Sequence, residues 1–204
     1  PEGLLQLLSG QAAHGEALAA SPDIPIVSAT GSTRMGRAVA PVVAQRFGKA
    51  ILELGGNNAM IVAPSADLEL AVRAIAFSAV GTAGQRCTSL RRLFVHEDIS
   101  EALLERLERA YATLPVGDPR EDGTLVGPLI DRSSYEAFEG ALRRAIEVGG
   151  KVSGGGRALA DEHPDAFYAR PAIVRMPRQR AIVREETFAP ILYAMTYSDL
   201  DEAI

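Results

Sequence analysis

A chain of 204 residues, 47% hydrophobic and 23% charged, has enough apolar material for one large domain or two small ones and reads as globular. Its formal net charge of -5 leaves no excess of lysine and arginine to neutralise phosphates, which argues against a nucleic-acid partner. One cysteine excludes an internal disulfide framework, and three scattered histidines, His14, His96 and His163, offer no metal-ligand spacing, so no metal is expected.

The densest basic stretch, Arg170, Arg175, Arg178, Arg180 and Arg184, lacks interleaved aromatics and reads as a solvated face. Arg73 interrupts the best apolar run, Ala66 to Val80, so no membrane span is expected. With no signal-peptide pattern and a lone thiol, the expected location is the cytoplasm.

The first segment reads as alternating helix and strand, with Leu4, Leu5, Leu7 and Leu8 before a loop and a short apolar strand at Ile24 to Ala29. Thr30 to Thr33 break that strand. Ser32 or Thr33 then caps a helix whose apolar positions are Met35, Val39, Val42, Val43 and Phe47, with Gly48 placed to end it. Two short strands, Ala50 to Leu54 and Ala59 to Ala63, flank the turn Gly55-Gly56-Asn57-Asn58. Leu68, Val72, Ile75 and Ala79 mark an amphipathic helix capped by Ser65 or Asp67, which places Cys87 in a loop just beyond it.

Leu90 to His96 follows as a strand, and Asp98 with Glu101 forms a capping-box start for a helix through Leu103, Leu107 and Tyr111. A further helix runs from Ser133 to Val148 and stops at Gly149. Strands are expected near Val152, over Phe167 to Val174 and over Pro190 to Tyr197, with Gly154-Gly155-Gly156 as a turn. Ser198 with Asp201 begins a capped helix whose second turn never arrives, which reads as a fragment of a longer chain. Strand and helix alternate throughout, so the fold class is α/β.

Four segments carry candidate chemistry. Cys87 lies between Gly84-Gln85-Arg86 and Thr88-Ser89, with small neighbours for access and a cation alongside to favour thiolate; the same features also suit an inert structural thiol. Glu53 sits in an apolar strand ahead of two glycines, where it is either a buried carboxylate suited to general-base work or an edge residue facing water by alternation. Thr30 to Gly36, between strand and helix, offers N–H groups and the positive end of a helix dipole to a phosphate, or is an ordinary cap. Arg184 to Pro190 sets two acids before an aromatic and a proline, fit for a ribose hydroxyl and a cofactor ring, or is a charged loop entering a strand.

Taken together, Gly31-Ser32-Thr33 through Gly36, Glu53-Leu54-Gly55-Gly56-Asn57, Gly84-Gln85-Arg86-Cys87 and Glu186-Thr187-Phe188-Ala189-Pro190 resemble the aldehyde dehydrogenase superfamily in content and order. The resemblance covers essentially the whole chain. Within the superfamily, Asn58, Arg86 beside the cysteine and Ala189 resemble the antiquitin branch, which oxidises α-aminoadipate semialdehyde, in equilibrium with piperideine-6-carboxylate.

The resemblance implies the C-terminal part of a Rossmann-like dinucleotide-binding domain over residues 1–52, joined to part of an α/β catalytic domain over 53–204. It implies that Cys87 attacks the aldehyde carbon, that a hydride passes to the nicotinamide, and that water activated by Glu53 hydrolyses the thioester. NAD is the implied cofactor, with NADP not excluded. Gly31, Ser32 and Gly36 would lie at the pyrophosphate, Leu54 and Gly55 near the nicotinamide, and Glu186 and Phe188 at its ribose and ring. Arg86 and Thr88 are the expected substrate contacts, and the complete subunit would be a homo-oligomer. The alternatives are an aldehyde dehydrogenase of another substrate branch, or a catalytically incompetent fragment serving only as a folding or interaction unit.

Overall fold

The computed structural model describes residues 3–204 and has the α/β architecture expected. Two compact units divide the chain, Pro1–Gly55 and Gly56–Ile204, so Glu53, Leu54 and Gly55 belong to the first unit, a few residues beyond the boundary read from the sequence.

In the first unit, helix α1 (Ala12–Ala20) leads to strand β1 (Ile26–Thr30), helix α2 (Thr33–Gln45) and strand β2 (Lys49–Glu53). β1 and β2 pair in parallel, from Ile26 opposite Lys49 to Thr30 opposite Glu53, with α2 packed on β2 and α1 on α2. Ser32 is the cap of α2, its Oγ accepting from the Met35 N–H at 3.1 Å. The helix does not end on Gly48 as expected. Phe47, almost fully exposed, takes the left-handed conformation at φ 58°, and the Gly48 and Phe47 N–H groups bond back to Val43 and Ala44. This is a Schellman closure with a phenylalanine where glycine is favoured, and Gly48 stands one place too late to occupy it.

In the second unit, strand β3 (Asn58–Val62), helix α3 (Leu68–Val80), strand β4 (Leu90–His96) and helix α4 (Glu97–Ala112) are followed by helix α5 (Arg132–Glu147). Then come strands β5 (Lys151–Gly154), β6 (Arg157–Ala158), β7 (Tyr168–Ala169) and β8 (Ala172–Arg175), helix α6 (Ala181–Arg184), strand β9 (Ile191–Tyr197) and helix α7 (Leu200–Ala203). The main sheet has the order β3-β4-β9-β8-β5, parallel except for β5. β9 is buried at every position but Thr196, as a central parallel strand covered on both faces must be. α3 and α4 pack on β4 and β9, and α5 packs on β5, enclosing a core that includes Ile75, Leu93, Leu103, Leu107, Phe138, Ile173 and Leu192.

Of the two caps expected for α3, Asp67 is the one found, its carboxylate accepting from the N–H groups of Glu69 and Leu70. Other local expectations shift. His96 Nδ1 accepts from Asp98 and starts α4 one residue after the strand, so the Asp98–Glu101 pair falls inside the helix. Asp199 instead of Ser198 caps α7. The strand expected over Phe167 to Val174 breaks at Pro171, which lacks the N–H a ladder needs, and its halves join different sheets. The basic stretch is also not uniformly solvated, because Arg175 bridges from β8 to Glu101 and Glu108 of α4 at 2.8 and 2.9 Å.

Candidate active site

Because β3, β4 and β9 are neighbouring parallel strands, the segments entering them share one edge of the sheet. Those segments are Gly56-Asn57, Arg86 to Ser89 and Glu186 to Ala189. The sheet therefore assembles three motifs that are far apart in sequence.

Cys87 is exposed and stands at the second position of a tight turn. The turn is closed twice, by the Ser89 N–H to the Arg86 carbonyl at 3.1 Å and by the Arg86 N–H to Ser89 Oγ at 3.2 Å. Asn58 Nδ2 donates to the carbonyls of Cys87, at 2.7 Å, and of Ser89, at 3.0 Å. Gly56 comes so close that a Cβ there would lie 2.4 Å from the Cys87 carbonyl oxygen. Backbone is thus fixed on several sides while the thiol stays accessible, and the Cys87 N–H has no intramolecular partner among the described residues.

The chain reaches this turn through a left-handed run. Thr82, Ala83 and Gly84 have φ of 55°, 52° and 67°, and the two non-glycine residues store on the order of 1–2 kcal/mol each. Gly84 is needed both for its φ and because a Cβ would meet the Ala189 carbonyl at 2.4 Å. Gln85 ties the run to another loop, its amide donating to Pro128 and accepting from the Ile130 N–H.

Glu186 Oε1 accepts from the Gly56 N–H at 3.1 Å and faces the Arg91 guanidinium at 3.5 Å. Phe188 is 45% exposed; Arg91 covers its ring at 5.4 Å, and it lines a cavity of about 480 Å³ with Gln85, Pro128, Leu129 and Ile130. A half-open ring beside a carboxylate with one oxygen already held is a fitting place for a ribose and a planar ring. Arg86 is turned onto the end of α3, its Nε donating to Thr82 Oγ1 at 2.8 Å and its guanidinium 5.7 Å from the Phe77 ring centre. Thr88 is exposed.

In the first unit, Glu53 ends β2 and is exposed, so the buried placement is not found and the carboxylate is open to water. Its carbonyl accepts from the Gly31 N–H at 3.0 Å, so that N–H is already engaged between β1 and β2. Leu54 packs over Gly36, where a Cβ would lie 2.6 Å from Leu54 Cδ1. Gly55 is exposed.

Two arginines that hold the second-unit cluster went unremarked in the sequence. Arg91, 2% exposed, donates to the carbonyls of Gly84, Arg86, Thr187 and Ala189. Arg92 donates to Asn57 at 2.9 Å and to Gln179 at 2.7 Å. The signal was present: adjacent charges at the start of an otherwise apolar strand cannot both face water by alternation.

The aldehyde dehydrogenase family model matches residues 1–204. The chain is 48% identical over 204 residues to aldehyde dehydrogenase family 7 member A1 of Pisum sativum, covering all of this chain and 40% of that protein. It is 42% identical over 202 residues to the alpha-aminoadipic semialdehyde dehydrogenase of Bos taurus, covering 99% and 37%. Among solved structures, betaine aldehyde dehydrogenase from Staphylococcus aureus in complex with NAD+ superposes with a TM-score of 0.88 at 26% identity, over 93% of this chain and 38% of that one. PnpE from a Pseudomonas species superposes with a TM-score of 0.87 at 34% identity, over 93% and 39%.

The fold and the motifs therefore define an aldehyde dehydrogenase segment. The chain belongs to the aldehyde dehydrogenase family, and its relatives include the branch its motifs resemble. It spans about two fifths of the length of these relatives. No described helix is long and apolar enough to cross a membrane, and no group of metal-ligating side chains occurs among the described residues.

Proposed function

We propose that this chain supplies the nucleophile, Cys87, and the general base, Glu53, for NAD(P)-dependent oxidation of an aldehyde to a carboxylic acid. The proposed substrate is α-aminoadipate semialdehyde, in equilibrium with piperideine-6-carboxylate. The observation that carries the reading is the single accessible thiol on a turn whose backbone is clamped by Asn58, Ser89 and Arg91, the last of which also meets Glu186 and the half-open Phe188. The substrate class is supported by relatives named for that aldehyde.

In this reading Cys87 Sγ bonds to the aldehyde carbon while the carbonyl oxygen takes up negative charge, toward which the free Cys87 N–H can donate. A bound nicotinamide dinucleotide supplies the acceptor for the hydride that leaves that carbon. Water then attacks the thioester, its proton passing to the Glu53 carboxylate, and the acid departs as the Cys87 sulfur is released. Glu186 and Phe188 would hold the nicotinamide ribose and ring, Gly31, Ser32 and Gly36 at the start of α2 would receive the pyrophosphate, and Leu54 and Gly55 would serve the nicotinamide. Arg86, with Thr88, pairs with the carboxylate of the substrate after swinging off Phe77. NAD as the preferred cofactor, homo-oligomeric assembly and a cytoplasmic location belong to the same proposal.

In the enzyme carrying this chain, Cys87→Ser should abolish substrate-dependent NADH formation, and an unchanged kcat would sink the reading. Glu53→Gln should keep a single-turnover burst of NADH while slowing steady turnover by on the order of 100-fold; loss of the burst as well would assign Glu53 to an earlier step. Arg86→Ala should weaken kcat/KM for α-aminoadipate semialdehyde more than for a simple aliphatic aldehyde, and an equal loss for both would remove its recognition role.

A further inference from the structure

The buried guanidinium of Arg91 takes no part in the chemistry assigned above, yet it touches both the segment that delivers Cys87 and the loop of Glu186 and Phe188. Nη2 donates to Gly84 at 3.0 Å and Arg86 at 3.1 Å, on the strand of chain that delivers Cys87. Nη1 donates to Thr187 at 2.6 Å and, longer, to Ala189 at 3.4 Å, on the loop that bears Phe188. Glu186 lies 3.5 Å away, and the Phe188 ring is stacked beneath at 5.4 Å. Among the described residues Nε has no partner, so the group is held by what surrounds its two Nη atoms.

Only a planar fork has the reach and directions to serve two separate loops in this way, and a lysine ammonium in the same place would be a point charge with a different donor geometry. Burial lowers the Arg91 pKa, while Glu186 and then Cys87 act in the opposite direction and favour the charged form. The backbone that Arg91 grips includes Gly84, the last residue of the left-handed run, and the same glycine lies close against Ala189. Two loops from distant parts of the sequence thus meet across a single side chain.

We propose that Arg91 is a positioning residue that couples the loop carrying Cys87 to the loop carrying Glu186 and Phe188, so that the two open and close as one unit. The proposal rests on the reading of these loops as nucleophile and cofactor loops, although the coupling itself is a physical property of the chain. It makes the accessibility of the thiol depend on the state of the cofactor loop.

Hydrogen exchange and alkylation of Cys87, the sole cysteine, test this on the chain itself. Arg91→Met should speed exchange in residues 84–89 and 186–190 together, by on the order of 10-fold, and change the iodoacetamide rate at Cys87, with strands β8 and β9 unaffected. Arg91→Lys should recover part of both effects. Loosening of one loop alone, of neither, or of β8 and β9 to the same extent would overturn the coupling role, the last pointing to a merely structural arginine. Where Arg91→Met does not fold, Arg91→Lys carries the test: paired loosening of smaller size supports the proposal, and unpaired or absent loosening refutes it. Cys87→Ser in the active enzyme probes the functional reading separately, so either can fail while the other stands.

Discussion

Replacing Gly56 by alanine puts the smallest possible side chain where the nucleophile's backbone passes. Gly56 does not have a left-handed φ, so alanine is conformationally acceptable there, and its effect comes from contact alone. The new Cβ would sit 2.4 Å from the Cys87 carbonyl oxygen and 3.3 Å from Asn58 Nδ2, the donor that holds that oxygen. Both neighbours are rigid, one being backbone and the other a side chain already committed to two carbonyls.

To reach even 3.0 Å, the Cys87 carbonyl must withdraw by about 0.6 Å, which lengthens its 2.7 Å bond to Asn58. Overpacking of this kind costs about 1–3 kcal/mol, and a nucleophile displaced by a sizeable fraction of an ångström loses roughly 10–100-fold in rate. Gly56→Ala should therefore lower the denaturation midpoint modestly and kcat severely, with a changed rate of Cys87 alkylation. Gly127→Ala is the control, since its Cβ would meet nothing closer than 3.6 Å. If Gly56→Ala turns over within twofold of the parent, the close approach does not position the thiol and the reasoning is wrong.

Phe47→Gly should raise stability by about 0.5–1 kcal/mol, because the residue holds φ 58° and its ring is exposed, so strain is relieved with little burial lost; an equal or lower melting temperature would count against this. Stability should fall as pH rises above about 10. Burial pushes the Tyr193 phenol up to about 12 and Tyr111 further still, so the folded state holds protons that the unfolded chain releases near 10. That contribution is complete below pH 10 and lost as pH climbs through the folded values. Tyr111→Phe should lessen the alkaline loss in urea titrations, and at neutral pH should be neutral or stabilising by up to about 1 kcal/mol, since the buried hydroxyl has no partner among the described residues. An unchanged pH dependence would rule out the Tyr111 contribution.

Much of the architecture was legible because it is local. Hydrophobic period and caps placed β1, α2, β4 and α5 to within a residue or two, as the spacing of Leu68, Val72, Ile75 and Ala79 did for α3. The errors lie where a single residue decides. Phe47 adopts the turn that Gly48 seemed to offer, His96 replaces an acidic cap, and Pro171 divides a strand, each settled by backbone hydrogen bonding that composition does not encode.

The sequence by itself determined which side chains are available for chemistry: one thiol, a glutamate in an apolar strand, and the Glu186-to-Ala189 loop. The order of strands was decided only by the tertiary structure, because parallel pairing of β3 with β4 and of β4 with β9 is a long-range choice. That choice brings Gly56, Asn58, Cys87 and Glu186 to one edge and leaves a gap between their loops. A buried guanidinium fills the gap, and nothing in the local pattern around Arg91 says that four carbonyls from two distant segments will converge on it.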